Sequence, residues 1–211
     1  MHAGQHEPVR RAPHPQRDSV ADAVPVSTLT TQASRTVTVT IRDASRAAGD
    51  HDWIQQAYRG YLDDLTLLTR NTGMFPVAGE FGDREPDLLS RWFADDSSHP
   101  LVILHDGRPV GFALVSRPPP RQRDQIDFRL AEFYVVAAAR RRGIGRDAAI
   151  LIFNRFAGRW EVNEFMSNRP ALAFWRRVIA AYTEGDFTET MRDGEVRHLF
   201  ATPGFRTRRP P

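Results

Sequence analysis

Seven consecutive residues, Arg140, Arg141, Arg142, Gly143, Ile144, Gly145 and Arg146, lie between the apolar stretches EFYVV at 132–136 and AAILIF at 148–153. Their types suit the holding of phosphate. A helix that starts at a glycine turn leaves its first amides unpaired, and the aligned peptide dipoles favour an anion there. Gly143 and Gly145 let the backbone approach such an anion closely. The arginines offer bidentate hydrogen bonds to further oxygens. The stretch is expected to be a pyrophosphate cradle.

Two phosphate motifs compete for this reading. The P-loop requires a lysine, and all 29 basic residues of the chain are arginine. The dinucleotide fingerprint G-x-G-x-x-[GA] is matched by Gly143, Gly145 and Ala148, with Glu161 or Glu164 at the distance of a ribose contact. It keeps a Rossmann-like NAD(P)-binding oxidoreductase as an alternative. Its surroundings argue against it, because a dinucleotide fold alternates strands and helices throughout. Here a hairpin and a loop precede the motif and a hairpin follows it.

The elements that must position the cradle are legible from periodicity. Residues 1–34, rich in Pro, His, Ser, Thr and Ala, show no period and are expected to be a disordered tail. Val37, Val39 and Ile41 alternate with threonines as a half-buried strand. Asp50 is the expected N-cap for a helix carrying Trp53, Ile54, Ala57, Tyr58, Tyr61, Leu62 and Leu65 at helical spacing. EPDLLSRWFADD reads as a second helix, and LVILHDGRPVGFALVSR as a hairpin around Asp106 and Gly107. DFRLAEFYVV is a longer strand, buried on both faces at its end. A helix over 143–157, the strand RWEVNEFM, and a helix capped by Asn168 with Pro170 in its first turn follow. A hairpin over 187–201 closes the domain, and 202–211 is expected to be a flexible tail. The fold class is therefore α+β or mixed α/β, with one domain over 35–201.

Segments 132–147 and 160–182 together resemble the two cofactor-binding motifs of the GNAT superfamily of acyl-CoA-dependent N-acyltransferases. An apolar strand ends at Val135, [QR]-x-x-G-x-[GA] follows as Arg140, Gly143 and Gly145, and later come Asn168, Ala171 and the aromatic pair Phe174 and Trp175. The element order from Val37 to Phe200 agrees with that family, so the resemblance covers the chain apart from its tails. It implies a central, mixed and largely antiparallel sheet of about seven strands flanked by four helices. It also implies acetyl-CoA as cosubstrate, lying between the strands EFYVV and RWEVNEF. Backbone from Phe133 to Val135 would pair with the pantetheine amides. Arg140, Arg141, Arg142, Gly143, Ile144, Gly145 and Arg146 would bind the pyrophosphate, and Asn168 would contact the cofactor or cap its helix.

Acyl transfer to an amine needs a neutral amine, a polarised carbonyl and a proton for the leaving thiolate. Glu132 is the first candidate for the base, with Glu161 and Glu164 as alternatives. The family's usual acid is a tyrosine at the second aromatic of the asparagine motif, where this chain has Trp175, and indole is a donor that does not ionise usefully. Tyr134 and Tyr182 are the substitutes, although Tyr182 also completes an apolar stripe. A non-catalytic acyl-CoA-binding or regulatory domain of the same fold is the other alternative.

Absence of cysteine excludes a disulfide framework, a thiolate metal site and a cysteine nucleophile. No metal is expected. No stretch reaches the ~20 apolar residues of a membrane helix, so a cytoplasmic protein is expected. The net charge is +3, but many arginines sit in the two ends, and specific nucleic-acid recognition is not expected. From Asp43 to Asp96 carboxylates outnumber arginines, with Asp63, Asp64, Glu80, Asp83, Glu85 and Asp87 on or near the early helices. Such a lip would draw a cationic small-molecule amine. The expected assembly is a monomer or homodimer.

Overall fold

The computed structural model describes residues 38–47, 49–69, 85–118 and 125–205. Residues 1–37 and 206–211, where most of both expected tails fall, lie outside the described residues. In chain order the elements are β1 (Val39–Asp43), α1 (Asp50–Thr69), α2 (Glu85–Ala94), β2 (Ser98–His105), β3 (Arg108–Ser116), β4 (Phe128–Val135), α3 (Ile144–Arg155), β5 (Arg159–Phe165), α4 (Arg169–Tyr182), β6 (Phe187–Arg192) and β7 (Glu195–Ala201). The strands form one sheet in the order β1-β2-β3-β4-β5-β7-β6. Every pairing is antiparallel except β4 with β5. Seven mixed strands with four α-helices among the described residues are the architecture expected from the sequence.

Both faces of the sheet centre are covered, which is why β2 and β3 read as continuous apolar runs. On one face Ile54, Tyr58 and Leu89 of α1 and α2 pack on Val102, Leu104, Phe112 and Leu114. On the other, Ile152 and Phe153 of α3 and Trp175, Val178 and Ile179 of α4 pack on Leu101, Ala113, Val115, Leu130, Trp160 and Val162. The hairpin turns are those the sequence signals: Asp106 and Gly107 between β2 and β3, and Asp193 and Gly194 between β6 and β7, all at positive φ.

Three expectations are corrected. Asp50 does not cap α1 but is its first helical residue, buried, with its carboxylate accepting from Arg42 of β1 at 2.8 and 2.6 Å. The end of β4 is half-buried rather than buried on both faces, because one of its edges loses its neighbour. The final tail starts later than residue 202: Thr202 is buried, its amide donates to the Gly158 carbonyl at 2.9 Å and its hydroxyl accepts from the Gly158 amide at 3.1 Å.

Gly111 is where the sheet is most tightly built. A Cβ there would lie 2.3 Å from the Tyr134 carbonyl oxygen and 3.2 Å from the Val135 Cα, both backbone atoms of β4. Neither can move without parting the strands. Gly111→Ala should therefore destabilise the fold by ~3 kcal/mol, read by denaturant titration, since overpacking against backbone has no rotamer to relieve it.

Candidate active site

A bulge and a parting of strands make the cleft. Along β3 the register steps from Val115 opposite Leu130 to Leu114 opposite Glu132, so Ala131 is an extra residue on β4. A bulge bends its strand and re-aims the side chains beyond it. Phe128 and Leu130 join the core on the α3 and α4 side, whereas after the bulge Tyr134 packs toward α1. On its other edge β4 pairs with β5 only through Phe128–Trp160, Arg129–Glu161 and Leu130–Val162. Past those pairs the two strands separate. Among the described residues, Glu132–Val135 of β4 then has no partner strand on that edge, although it stays paired to β3.

The closed end of this V is pinned by charge. Arg159 donates to Asp127 through its amide at 2.8 Å and its guanidinium at 3.0 Å, and the Asp127 amide returns a bond to the Arg159 carbonyl at 2.8 Å. Just beyond, Glu161 is buried between Arg129, at 2.5 Å, and Arg197 of β7. Glu161 is thus an ion-pair centre and not a free base.

Glu132 stands at the open end. Its carboxylate accepts a hydrogen bond from the Tyr61 hydroxyl of α1. Burial pushes its pKa from 4.5 up to about 7, with the tyrosine bond opposing. Across the gap Glu164 is also raised to about 7, first by burial and further by the nearby Glu132, against the Phe165 amide and Asn168. Two carboxylates near neutrality in one cleft can each exchange a proton at physiological pH. Tyr61 was missed by sequence reading, because its place in the α1 apolar stripe gave no sign of a polar partner; its own pKa is raised well above 10.0 by burial and by Glu132.

The glycine-arginine turn opens α3 as expected. Gly143 is the N-cap at φ 81, and the amides of Gly143, Ile144, Gly145 and Arg146 donate to no backbone carbonyl among the described residues. Ile144 is buried and anchors the turn. Arg141 sits at φ 62, a conformation costing a residue with a side chain about 1 kcal/mol or more. Arg146 pairs with Asp147 at 2.9 Å, while Arg141 and Arg142 are exposed and have no ion pair among the described residues. Cations at a helix N-terminus oppose its dipole. A strained residue and unmatched arginines at free amides fit a pyrophosphate, whose charge would offset both.

Other expected residues are placed as follows. Phe133 and Val135 lie on β4 and pack toward α3, Phe133 lying edge-on to Trp175 at 5.1 Å. Arg140 does not turn toward the cradle with its side chain: it donates to the Val135 carbonyl at 2.7 Å, pairs with Asp64 of α1 and lies 5.3 Å above the Tyr134 ring. Tyr134 is raised by burial and by Asp64, with Arg140 opposing. Asn168 caps α4, its side chain accepting from the Ala171 amide at 3.3 Å. Tyr182 is not brought to the cleft. It lies at the far end of α4, ~20 Å along the axis from Asn168 at 1.5 Å per residue, and its hydroxyl donates to Asn154 at 2.7 Å.

Trp175 is a core residue, 4% exposed and ringed by Phe133, Phe153 and Phe174. Trp175→Phe should cost ~1–2 kcal/mol of stability by chemical denaturation, since a smaller ring leaves part of the site unfilled. Turnover per folded molecule should be nearly unchanged. Among the described residues no group of three or more carboxylates and histidines is placed to hold a metal, and no helix is long and apolar enough to cross a membrane.

A seven-stranded mixed sheet parted at β4 and β5, with a glycine-arginine turn at the mouth of the gap, defines an acyl-CoA N-acyltransferase fold. The profile of the acetyltransferase (GNAT) family matches residues 55–179, and the chain belongs to that family of acetyltransferases. Among solved structures it is similar to an acetyltransferase from Thermus thermophilus, at 17% identity and a TM-score of 0.54, over 79% of this chain and 97% of that one. It is also similar to the PaiA N-acetyltransferase from Thermoplasma acidophilum, a complex with coenzyme A, at 10% identity and a TM-score of 0.52, over 78% and 99% of the two chains. At those identities the likeness is one of fold. No curated protein matches the chain.

Proposed function

We propose that this acetyltransferase uses acetyl-CoA to acetylate a primary amine of a small molecule in the cytoplasm, with Glu132 as general base. The observation that carries the reading is the position of Glu132: a carboxyl raised to about 7, held by Tyr61, on the stretch of β4 that has lost its neighbour strand. The free amides of Gly143 to Arg146, with Arg141 and Arg142 beside them, bind the pyrophosphate. The open edge of Phe133 to Val135 takes the pantetheine amides, and one of its N–H groups faces the carbonyl oxygen.

Bond changes balance within these residues. The amine nitrogen bonds to the acetyl carbon, and the carbon–sulfur bond breaks. Glu132 takes the proton shed by nitrogen and returns it to solvent, and the thiolate takes one from Tyr134, which recovers it from solvent. Tyr134 is assigned this role because it follows Glu132 on the same bulged stretch of β4 and its raised pKa keeps it protonated.

Thiol release from acetyl-CoA, followed across a panel of primary amines, tests the proposal. Release that depends on amine supports it. A second reading, a domain that binds acyl-CoA without catalysis, is favoured by Trp175 in place of the usual tyrosine. It would give acetyl-CoA binding with no amine-dependent release.

A further inference from the structure

Arg140 opens the motif that resembles a pyrophosphate cradle, yet its hydrogen bonds run elsewhere. Its amide donates to the Ala137 carbonyl at 3.2 Å. Its Nε donates to the Val135 carbonyl at 2.7 Å, and its Nη2 pairs with Asp64 of α1. The guanidinium carbon lies 5.3 Å from the centre of the Tyr134 ring. One side chain thus ties the open end of β4 to α1 across a tyrosine. The same pairing takes Asp64 out of the acidic lip, of which Glu80 and Asp83 lie outside the described residues.

Beneath that tyrosine α1 is cut away. Gly60 stands four residues before Asp64, one helical turn, so the two share a face of the helix. A Cβ on Gly60 would lie 2.9 Å from the Tyr134 hydroxyl oxygen, so a methyl there displaces the hydroxyl. Glycine is poorly suited to the interior of a 20-residue helix. Here its missing Cβ is the notch that receives the hydroxyl. Phe112 of β3 at 5.6 Å and Tyr61 of α1 at 5.7 Å complete the enclosure of the ring.

The hydroxyl proton is left uncommitted. The hydrogen bond that reaches this oxygen comes from Arg140, and a guanidinium only donates. By contrast, the Tyr61 hydroxyl donates to Glu132 and the Tyr182 hydroxyl to Asn154.

We propose that Arg140 is a positioning residue for proton delivery to the thiolate and not a pyrophosphate ligand. Held by Asp64 and by the Val135 carbonyl, it fixes the Tyr134 ring in the Gly60 notch with the hydroxyl proton directed to the departing sulfur. The carbon–sulfur bond breaks, sulfur takes the tyrosine proton, and solvent returns one to Tyr134. This rests on the acetyl-transfer reading above, with Tyr134 as its acid.

Thiol release from acetyl-CoA is measured on the full chain with the most active of butylamine, glucosamine, 4-aminobutyrate and spermidine. Arg140→Gln should lower kcat by roughly 10- to 100-fold with KM for acetyl-CoA unchanged, the range for a reacting group misplaced by about an ångström. Arg140→Lys, which can still pair with Asp64, should recover part of that loss. Gly60→Ala should lower kcat in the same way. Tyr134→Phe alone should cost ~100-fold or more. Arg140→Gln added to it should cost nothing further, because no hydroxyl remains to be positioned. If Arg140→Gln does not fold, Asp64→Asn removes the same tie and takes its place in the cycle. A raised KM for acetyl-CoA as the main effect of Arg140→Gln would overturn the inference and leave acetyl transfer standing. So would a loss that is as large in the Tyr134→Phe background as in the wild type. Full turnover in Tyr134→Phe would remove the acid together with the inference. Failure of every amine to release thiol would remove the acetyl-transfer reading itself.

Discussion

Glu132→Gln is expected to lower kcat by ~100-fold or more while leaving acetyl-CoA affinity unchanged, because it keeps the size of the side chain and an acceptor for Tyr61 but removes the proton acceptor. In the wild type the rate should rise with pH through about 7 as Glu132 ionises. That limb should be absent from the variant. Glu164→Gln is the control: its carboxyl titrates in the same range but is held by the Phe165 amide and Asn168, and the limb should persist without it. Full turnover in Glu132→Gln would place the base elsewhere.

The same carboxyl has a consequence for stability. Its pKa in the fold, about 7, lies above the ordinary 4.5, so folding favours the protonated form. The stabilising contribution is whole below 4.5 and is lost as pH rises through about 7. Glutamine is neutral at every pH and does not suffer this loss. The melting temperature of Glu132→Gln should thus exceed that of the wild type at pH ~8, with the gap closing toward pH ~5. A stability difference that does not change with pH would mean that Glu132 is not desolvated as described.

Gly145→Asp is expected to weaken acetyl-CoA binding by at least ~100-fold with the fold retained. A Cβ at this position meets the Phe174 ring at 3.4 Å and Phe133 at 3.8 Å, contacts that a ring edge can accommodate by a few tenths of an ångström. Gly145 is not at positive φ, so a side chain brings no backbone strain there. The damage is therefore electrostatic: a carboxylate enters where free amides and arginines await an anion. Calorimetric titration reads the affinity and a thermal melt the fold. Gly145→Ala separates the two effects, since it adds the same Cβ without the charge and should keep most of the affinity.

What could be read from sequence was local. The cradle is a contiguous string whose chemistry lies in its own backbone and side chains, and Asn168 announces its cap by standing just before Pro170 and the α4 stripe. The hairpin turns likewise carry their positive-φ residues in plain sight. What could not be read depends on register. The extra residue at Ala131, which turns Glu132 toward α1, is visible only once β3 and β4 are paired. Tyr61 lies 71 residues from Glu132, and no local pattern links them. The commitment of Glu161 to two arginines required three strands to be set side by side. Tyr182 misled for the opposite reason: it belongs to the right helix, but a helix carries its two ends far apart.

Hydrogen exchange with and without acetyl-CoA tests the cleft most directly. Bound acetyl-CoA should slow exchange at the amides of Gly143 to Arg146, which donate to no backbone carbonyl among the described residues, and along the Phe133 to Val135 edge that β5 leaves. Protection confined to another part of the sheet, with those amides exchanging as fast as in the free protein, would contradict the assignment of the V between β4 and β5 as the acetyl-CoA site.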